Sequence, residues 1–481
     1  MSAKLRVAFV HPDLGIGGAE RLVVDAALGL QKLGHEVDVY TSHHDPNHCF
    51  DETRDGTLKV HNITPPFPRS FKGKFHILFS HARQLHLTKH LLRPTTPKYD
   101  VYFVDQLSTC VPLLRALGRT RVVFYCHFPD KLLADGEFVE GKGRRRGSLL
   151  KRVYRMPMDR LEEFTTRQAD VILANSKFTA RVFKTHFASI SSTPKVVYPG
   201  INLSAYEATS FDTQDKDILD VASDHPTLLS LNRFERKKNA ALAVDAFALL
   251  RKKLTDSESA QPSNQMRLVV AGGYDPRLED NMMTLVALID RAKAHSLSFN
   301  IITPSTSRIN IPPFDTTPSA PDVLFLLNFT TAQRSALLSA PSTLALLYTP
   351  TNEHFGIGPV EAMVCGLPVL ACNTGGPTES VVDSPPEERT GWLRPPEPDV
   401  WAEALTEIAG LSVEERQALA ARAKKRATDY FGMEAMATGL ESALKDAAAM
   451  GPVVLDSSLL MLFWAFLAVL VAFAVRLFSV S

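Results

Sequence analysis

What this chain has little of sets its class. Its five cysteines (Cys49, Cys110, Cys126, Cys365 and Cys372) are odd in number, scattered and free of any CxxC pair. They read as buried free thiols and point to a reducing compartment. Neither sign of charge dominates, with 53 basic against 52 acidic side chains, so the basic surplus of a nucleic-acid binder is absent. No spacing of histidines, cysteines or carboxylates suits a metal, and no Ser-His-Asp arrangement stands out. The only apolar run near the N-terminus, Leu5 to Val10, is too short for a signal-peptide core, so the body of the chain is expected in the cytosol. At 481 residues the chain is long enough for two domains of roughly 200 residues each.

What is there is an α/β pattern that runs twice. Leu5 to Val10 predicts a strand, His11 to Gly18 a glycine turn, Ala19 to Leu33 a helix stopped by Gly34, and Val37 to Tyr40 a second strand. Further strands are expected at Val101 to Val104, Val122 to Tyr125, Val171 to Ala174 and Val196 to Tyr198, giving a parallel sheet covered by helices. After a polar stretch the pattern restarts at Leu228 to Leu231, with a helix over Asn239 to Leu250 and strands at Leu268 to Ala271, Val323 to Leu327, Leu344 to Tyr348 and Pro368 to Ala371. The expected division is 1–205 and 227–449, two doubly wound domains facing each other across a cleft, with 206–226 as linker and the Pro/Ser/Thr-rich 296–322 as a surface insertion. A hydrophobic anchor is expected over 453–478. Its core, Leu459 to Val475, is seventeen residues without charge, ~25 Å of helix against a thin bilayer of about 27 Å. It reads as a membrane helix that spans, or else lies in the interface.

The richest stretch is Glu353-His-Phe-Gly-Ile-Gly-Pro-Val-Glu361, two carboxylates eight residues apart around a glycine turn that opens a helix. Pro359 suits the first helical position, with Glu361 in the first turn and Gly366 as the stop. Gly356 and Gly358 let backbone approach a ligand, and the helix start favours a phosphate. Taken alone, two glutamates in a helix-capping loop is the plainer reading. Asn373-Thr-Gly-Gly-Pro-Thr-Glu379 repeats the pattern after the next strand, however, so that two helix starts would converge. Gly15-Ile-Gly-Gly-Ala-Glu20 follows the first strand without the GxGxxG spacing of a dinucleotide fingerprint. It is a tight βα turn, or one in which Gly17 and Gly18 present N–H groups to a diphosphate. Arg233 ends a strand and Lys238 opens the next helix, a phosphate-binding arrangement unless the run is only a solvated charge cluster. His127, in Tyr125-Cys-His-Phe-Pro-Asp130, sits just past a strand at the expected cleft edge, although a lone histidine is more often structural. The dense basic run Lys142 to Arg155 is an exposed face or a contact for anionic headgroups.

Together these motifs resemble the retaining GT-B glycosyltransferases of family 4, the family that contains sucrose synthase and bacterial phosphatidylinositol mannosyltransferases. The resemblance covers about Lys4 to Gly439. Within it, the wording of the four motifs is most similar to that of the mannosyltransferases of dolichol-linked oligosaccharide assembly. It implies two Rossmann-like domains, GDP-mannose as donor, a dolichol-diphosphate oligosaccharide as acceptor, and α-1,3 and α-1,6 linkages made at the cytosolic face of the endoplasmic reticulum membrane. It implies no metal or other cofactor, and as partners membrane lipids and other transferases of lipid-linked oligosaccharides. By matching motif it implies that Glu353 and Glu361 hold donor mannose and ribose hydroxyls and that His127 contacts the donor sugar. Arg233 and Lys238 would hold the diphosphate, Gly17 and Gly18 would approach the donor phosphate or the acceptor, Gly375 and Gly376 would approach the donor, and His354, Phe355, Gly356 and Ile357 would line its pocket. Two alternatives stand beside this: the N-acetylglucosaminyltransferase subunit of GPI-anchor synthesis, and a silent sugar-nucleotide-binding scaffold.

Overall fold

The computed structural model describes residues 4–71, 75–133, 149–206, 215–256, 266–309, 311, 314–317, 320–453, 461, 465 and 468. It divides into two compact units, Met1–Ile201 with Met433–Ser481, and Asn202–Gly432.

In the first unit seven strands, β1 (Arg6–His11), β2 (Glu36–Thr41), β3 (Lys59–Asn62), β4 (Val101–Asp105), β5 (Arg121–Cys126), β6 (Val171–Ala174) and β7 (Lys195–Val196), pair in the order β3-β2-β1-β4-β5-β6-β7, all parallel. The second repeats the plan with β8 (Thr227–Leu231), β9 (Arg267–Gly272), β10 (Phe299–Ile302), β11 (Val323–Leu327), β12 (Thr343–Tyr348), β13 (Val369–Cys372) and β14 (Gly391–Arg394), ordered β10-β11-β9-β8-β12-β13-β14 and again all parallel. Strands such as β4 and β11 are buried at every position, as continuous apolar runs must be when helices cover both faces of a sheet. In each sheet the winding reverses once, beside β1 in the first unit and beside β8 in the second. Open α/β sheets bind ligands outside the carboxyl ends of the strands at such a point.

Three expectations change. The domain boundary at 449 gives way: helix Met433–Ala449 buries Met436, Leu440, Ala443, Leu444 and Ala447 in the core of the first unit. It lies so close to helix Gly18–Lys32 that a Cβ on Gly29 would stand 2.7 Å from the Ala437 Cβ. The 296–322 stretch is not all surface, because β10 pairs with β11 and Phe299 is buried in the core. The 206–226 linker likewise contains helix Lys216–Leu219, capped by Asp215, with Ile218 and Val221 buried in the second unit. The expected membrane helix over 459–475 lies outside the described residues apart from Met461, Ala465 and Ala468, and among the described residues no helix is long and apolar enough to cross a membrane. The five cysteines carry free thiols, four of them buried.

Candidate functional site

In the second unit the chain leaves β8 over Gly272, where a Cβ would lie 1.8 Å from the Asn232 carbonyl oxygen, so only glycine lets these two strand ends come together. It then turns through Arg236–Lys238 into Asn239, which takes the left-handed conformation at φ 51°. This turn is tied to the neighbouring strand end by the Thr349 hydroxyl, which donates to the Lys238 carbonyl at 2.6 Å. The Lys238 ammonium is thereby set against Glu353, Nζ to Oε2 at 2.5 Å. Lys238 follows β8 and Glu353 follows β12, so the pair marks the reversal of the second sheet. Burial opposes ionisation of Glu353, yet the Lys238 ammonium, helped by His354 and Lys237, holds its carboxyl below the usual range. Tyr348, fully enclosed beneath, donates to the same carboxylate; burial and the nearby Glu353 and Glu361 push its phenol well above the ordinary value, so it stays a donor.

The glycine turn is shaped by this tyrosine. Gly356 takes φ 83°, and a Cβ there would stand 2.9 Å from the Tyr348 hydroxyl; one on Gly358 would stand 3.1 Å from the ring. The helix starts at Ile357 and runs to Val364. Pro359 is therefore its third residue and Glu361 its fifth, two places further in than expected, which costs nothing because the first four helix N–H groups lack partners in any case. Gly375 and Gly376 press directly on this segment: a Cβ on Gly375 would be 2.5 Å from the Glu353 carbonyl oxygen and one on Gly376 2.2 Å from that of Phe355. The Gly376 N–H donates to the Glu353 carbonyl at 2.8 Å. Residues read as approaching a ligand thus bring the starts of helices Ile357–Val364 and Pro377–Ser380 together.

Glu361 is engaged as well. Its Oε1 accepts from the Tyr206 hydroxyl and from Arg334 Nη1 at 3.1 Å, and the Arg334 guanidinium lies over the Tyr206 ring. His354 and Ile357 are half-buried beside the turn. Phe355 is turned inward, its ring buried against Phe431 with centroids 5.6 Å apart. Arg233 is exposed and pairs with Glu235 at 2.9 Å.

The first unit holds a second polar cluster, again where its sheet reverses. His11 ends β1, Asp105 ends β4 and His127 follows β5, three neighbouring strands. Asp105 Oδ2 meets His11 Nδ1 at 2.9 Å, and Oδ1 meets His127 Nε2 at 2.6 Å. Glu20, in the first turn of helix Gly18–Lys32, lies 3.8 Å from His11 Nε2. Gly17 precedes that helix, and a Cβ on it would meet the Glu20 carboxylate at 2.2 Å, whereas one on Gly18 would meet nothing within 4 Å. Burial disfavours a charged His11, but Asp105 and Glu20 outweigh it and raise its pKa to about 9. Asp105 is likewise buried, and the two histidines hold it well below the usual carboxylate range. Of the basic run, residues 142–148 lie outside the described residues; Arg155 is buried and paired with Asp130 at 3.0 Å and Asp159 at 2.9 Å, an internal tie and not a surface charge.

Reading the sequence missed His11, Glu20 as a partner, Asp105, Tyr348, Tyr206 and Arg334. For three of them a signal exists in the sequence: His11, Asp105 and Tyr348 each end an apolar strand, the same kind of position that His127 and Arg233 occupy. Among the described residues no group of three or more histidines, cysteines or carboxylates is placed to hold a metal ion.

Residues 16–205 match the model of Glycosyltransferase Family 4 and residues 320–426 that of Glycosyl transferases group 1. The chain is 44% identical to alpha-1,3/1,6-mannosyltransferase ALG2 of Rhizomucor pusillus over 96% of its own length and 98% of that protein's. It is 41% identical to the enzyme of the same name from Saccharomyces cerevisiae, over 91% and 84%. In fold it is similar to sucrose-phosphate synthase of Thermosynechococcus elongatus (TM-score 0.67, 18% identity, 93% of this chain and 100% of that one). It is similar too to Anabaena HepE in complex with UDP (TM-score 0.61, 18% identity, 92% and 100%). Two parallel sheets that each reverse beside a polar cluster, together with 44% and 41% identity over nearly the whole length, show that the chain belongs to the α-1,3/1,6-mannosyltransferase family of glycosyltransferases.

Proposed function

We propose that this protein transfers mannose, with retention of configuration, from GDP-mannose to a dolichol-diphosphate oligosaccharide that already carries one mannose, making an α-1,3 and an α-1,6 linkage at the cytosolic face of the endoplasmic reticulum membrane. The activity in its relatives' names supports the sugar and the linkages, and the apolar 459–475 run supports the membrane setting. One observation carries the donor site: Lys238, Glu353 and Tyr348 joined at the reversal of the second sheet, beneath the start of helix Ile357–Val364.

In the transfer, the bond between the anomeric carbon and the diphosphate breaks as an acceptor oxygen bonds to that carbon. Positive charge builds on the sugar and negative charge on the departing GDP. Fixed cations and unpaired helix N–H groups aimed at the diphosphate are strongest at that moment. Lys238 and Arg233, with the N–H groups of Gly356, Ile357 and Gly358, suit that role, and with them the reading needs no metal. Glu353 already accepts from Lys238 and Tyr348, so its remaining lone pairs suit mannose hydroxyls better than attack on carbon. The acceptor then attacks from the face of the leaving group. Glu361, steadied on one oxygen by Tyr206 and Arg334, suits the ribose.

The test is transfer from labelled GDP-mannose to a diphosphate-lipid trisaccharide by the purified full chain. Addition of two mannoses is expected, with GDP and not UDP competing. Transfer from UDP-N-acetylglucosamine, or donor binding without transfer, would favour the GPI-anchor or scaffold reading.

A further inference from the structure

Asp13, two residues past β1, has no place in the transfer described above, yet it faces two arginines. Arg69 Nη2 lies 3.3 Å and Arg83 Nη2 3.5 Å from the same carboxylate oxygen, Oδ1. Neither contact is the two-bond fork that satisfies a guanidinium on a carboxylate, and one carboxylate against two guanidiniums leaves a net positive charge. Arg83 is drawn mostly out of water, its side chain 11% exposed. Its Nη2 also donates to the Ser42 carbonyl at 3.0 Å, while Nε and Nη1 have no protein acceptor among the described residues. Burial lowers its pKa and Arg69 adds to that, against the opposing pull of Asp13; a guanidinium remains charged through such a shift. Asp13 and Arg69 are the only charged groups among the described residues that bear on it.

The cluster sits at the carboxyl edge of the first sheet, beside the strand where the winding reverses. Asp13 follows β1 and Ser42 follows β2, and the two turns are laced together: the Ser42 N–H donates to the Pro12 carbonyl at 3.1 Å and the Leu14 N–H to the His43 carbonyl at 2.8 Å. Arg83 reaches them from helix His76–Leu91. Its charge is therefore held on a fixed frame. An arginine pair that is partly desolvated and short of counter-charge suits an anion whose oxygens are spread over two centres, and a diphosphate is such an anion. We propose that Arg69 and Arg83 form a diphosphate site on the first unit, which takes the diphosphate of the lipid-linked acceptor. The inference rests on the mannosyl-transfer reading for the identity of the acceptor, though not for the anion. On that reading two diphosphates enter the reaction. Lys238 and the helix start of the second unit suit the donor's, and the arginine pair is left for the other.

Steady-state kinetics of the purified full chain in neutral detergent, read on addition of the first mannose, test the site. Arg69→Gln, at an exposed position, and Arg83→Gln are each expected to raise the KM for the diphosphate-lipid trisaccharide about tenfold, the usual worth of a charged hydrogen bond. The kcat and the KM for GDP-mannose should change less than about threefold. Asp13→Asn removes the competing carboxylate and should lower the acceptor KM. A merely structural ion-pair cluster would not give that opposite sign, so a higher KM in Asp13→Asn, or a KM unmoved by both arginine variants, overturns the proposal. A trisaccharide on a neutral lipid without the diphosphate should show equal KM values in wild type and Arg69→Gln, and a difference as large as with the diphosphate overturns it too. So does an effect that appears only once phosphatidylserine is added, which would assign the arginines to a membrane headgroup. Should the wild type fail to transfer mannose from GDP-mannose, the transfer reading falls, while titration with inorganic diphosphate still decides the anion site. One bound diphosphate is expected to be lost in the double variant Arg69→Gln, Arg83→Gln, and equal binding overturns the site.

Discussion

Glu353 is an acid drawn mostly out of water and then compensated by one ammonium and one phenol. Removing a partner therefore costs more than the bond itself, because the carboxylate stays behind in a site of low polarity. Lys238→Ala is expected to lower GDP affinity by about 1.5–3 kcal/mol, the usual worth of a charged hydrogen bond. Tyr348→Phe removes one neutral donor and should slow transfer only about fivefold, near 1 kcal/mol. Calorimetry with GDP and steady-state rates check both, and a Lys238→Ala protein that binds GDP normally would remove Lys238 from the donor site. His11 makes the first unit's stability depend on pH in a definite direction. Its pKa is raised by folding from 6.5 to about 9, so the protonated ring stabilises the unit fully below pH 6.5, and this stabilisation is lost as pH rises through about 9. Asp105 works from the other side: its depressed pKa contributes stability above its ordinary 3.8 that is lost as pH falls. Between pH 6 and 10 the wild-type unfolding midpoint should drop more steeply than that of His11→Asn, and parallel curves would show that His11 is not charged in the folded protein.

At the scale of elements, glycine positions decide which turns meet. An alanine at Gly376 places a methyl 2.2 Å from a backbone oxygen, where neither side can yield cheaply, whereas at Gly18 it meets nothing within 4 Å. Gly376→Ala is expected to destabilise by roughly 2 kcal/mol or more and to abolish donor binding, and Gly18→Ala to stay within about 0.5 kcal/mol of wild type. Urea denaturation monitored with and without GDP separates them; equal midpoints would mean that the two turns do not need their close contact. The same elements show what a sequence discloses. Buried parallel strands such as Val323–Leu327 are legible to the residue because nothing but an apolar run can fill them. The strands missed are edge strands or their polar equivalents: Lys59–Asn62, Phe299–Ile302 inside a Pro/Ser/Thr-rich stretch, and Gly391–Arg394. Glu353 and Glu361 are legible because one turn carries both. His11 and Asp105 are 94 residues apart and meet only because β1 and β4 are neighbours, a pairing that no local pattern announces. Helix Met433–Ala449 plainly has a buried face, but amphipathic spacing does not say which core receives it.

At the scale of the molecule, the return of that last helix fixes where the chain can be cut. Arg121 donates to the carbonyls of Met450, Gly451 and Pro452, so the first unit's structure extends past Gly451. A chain ending at Val453 should keep both units and GDP binding while leaving membranes, and one still pelleting with membranes in high salt would show that the apolar tail is not the main anchor. The double linkage in the family's name poses the larger question. Among the described residues there is one Lys238–Glu353–Tyr348 assembly and one Tyr206–Arg334–Glu361 assembly, both in the second unit. On the proposed reading one donor site is expected to serve both steps, with the acceptor rebinding in a new orientation after the first mannose is added. On that reading Glu353→Ala removes a contact that both transition states would require, and it leaves Lys238 without its counterion. Both rates should fall by comparable factors, about 10² if the contact is worth roughly 3 kcal/mol. Variants that touch only the acceptor would instead separate the steps, since the two acceptors differ by one mannose. Mass spectrometry of the lipid-linked products reads each linkage. A Glu353→Ala enzyme that makes one linkage at the wild-type rate and loses the other would require a second donor site.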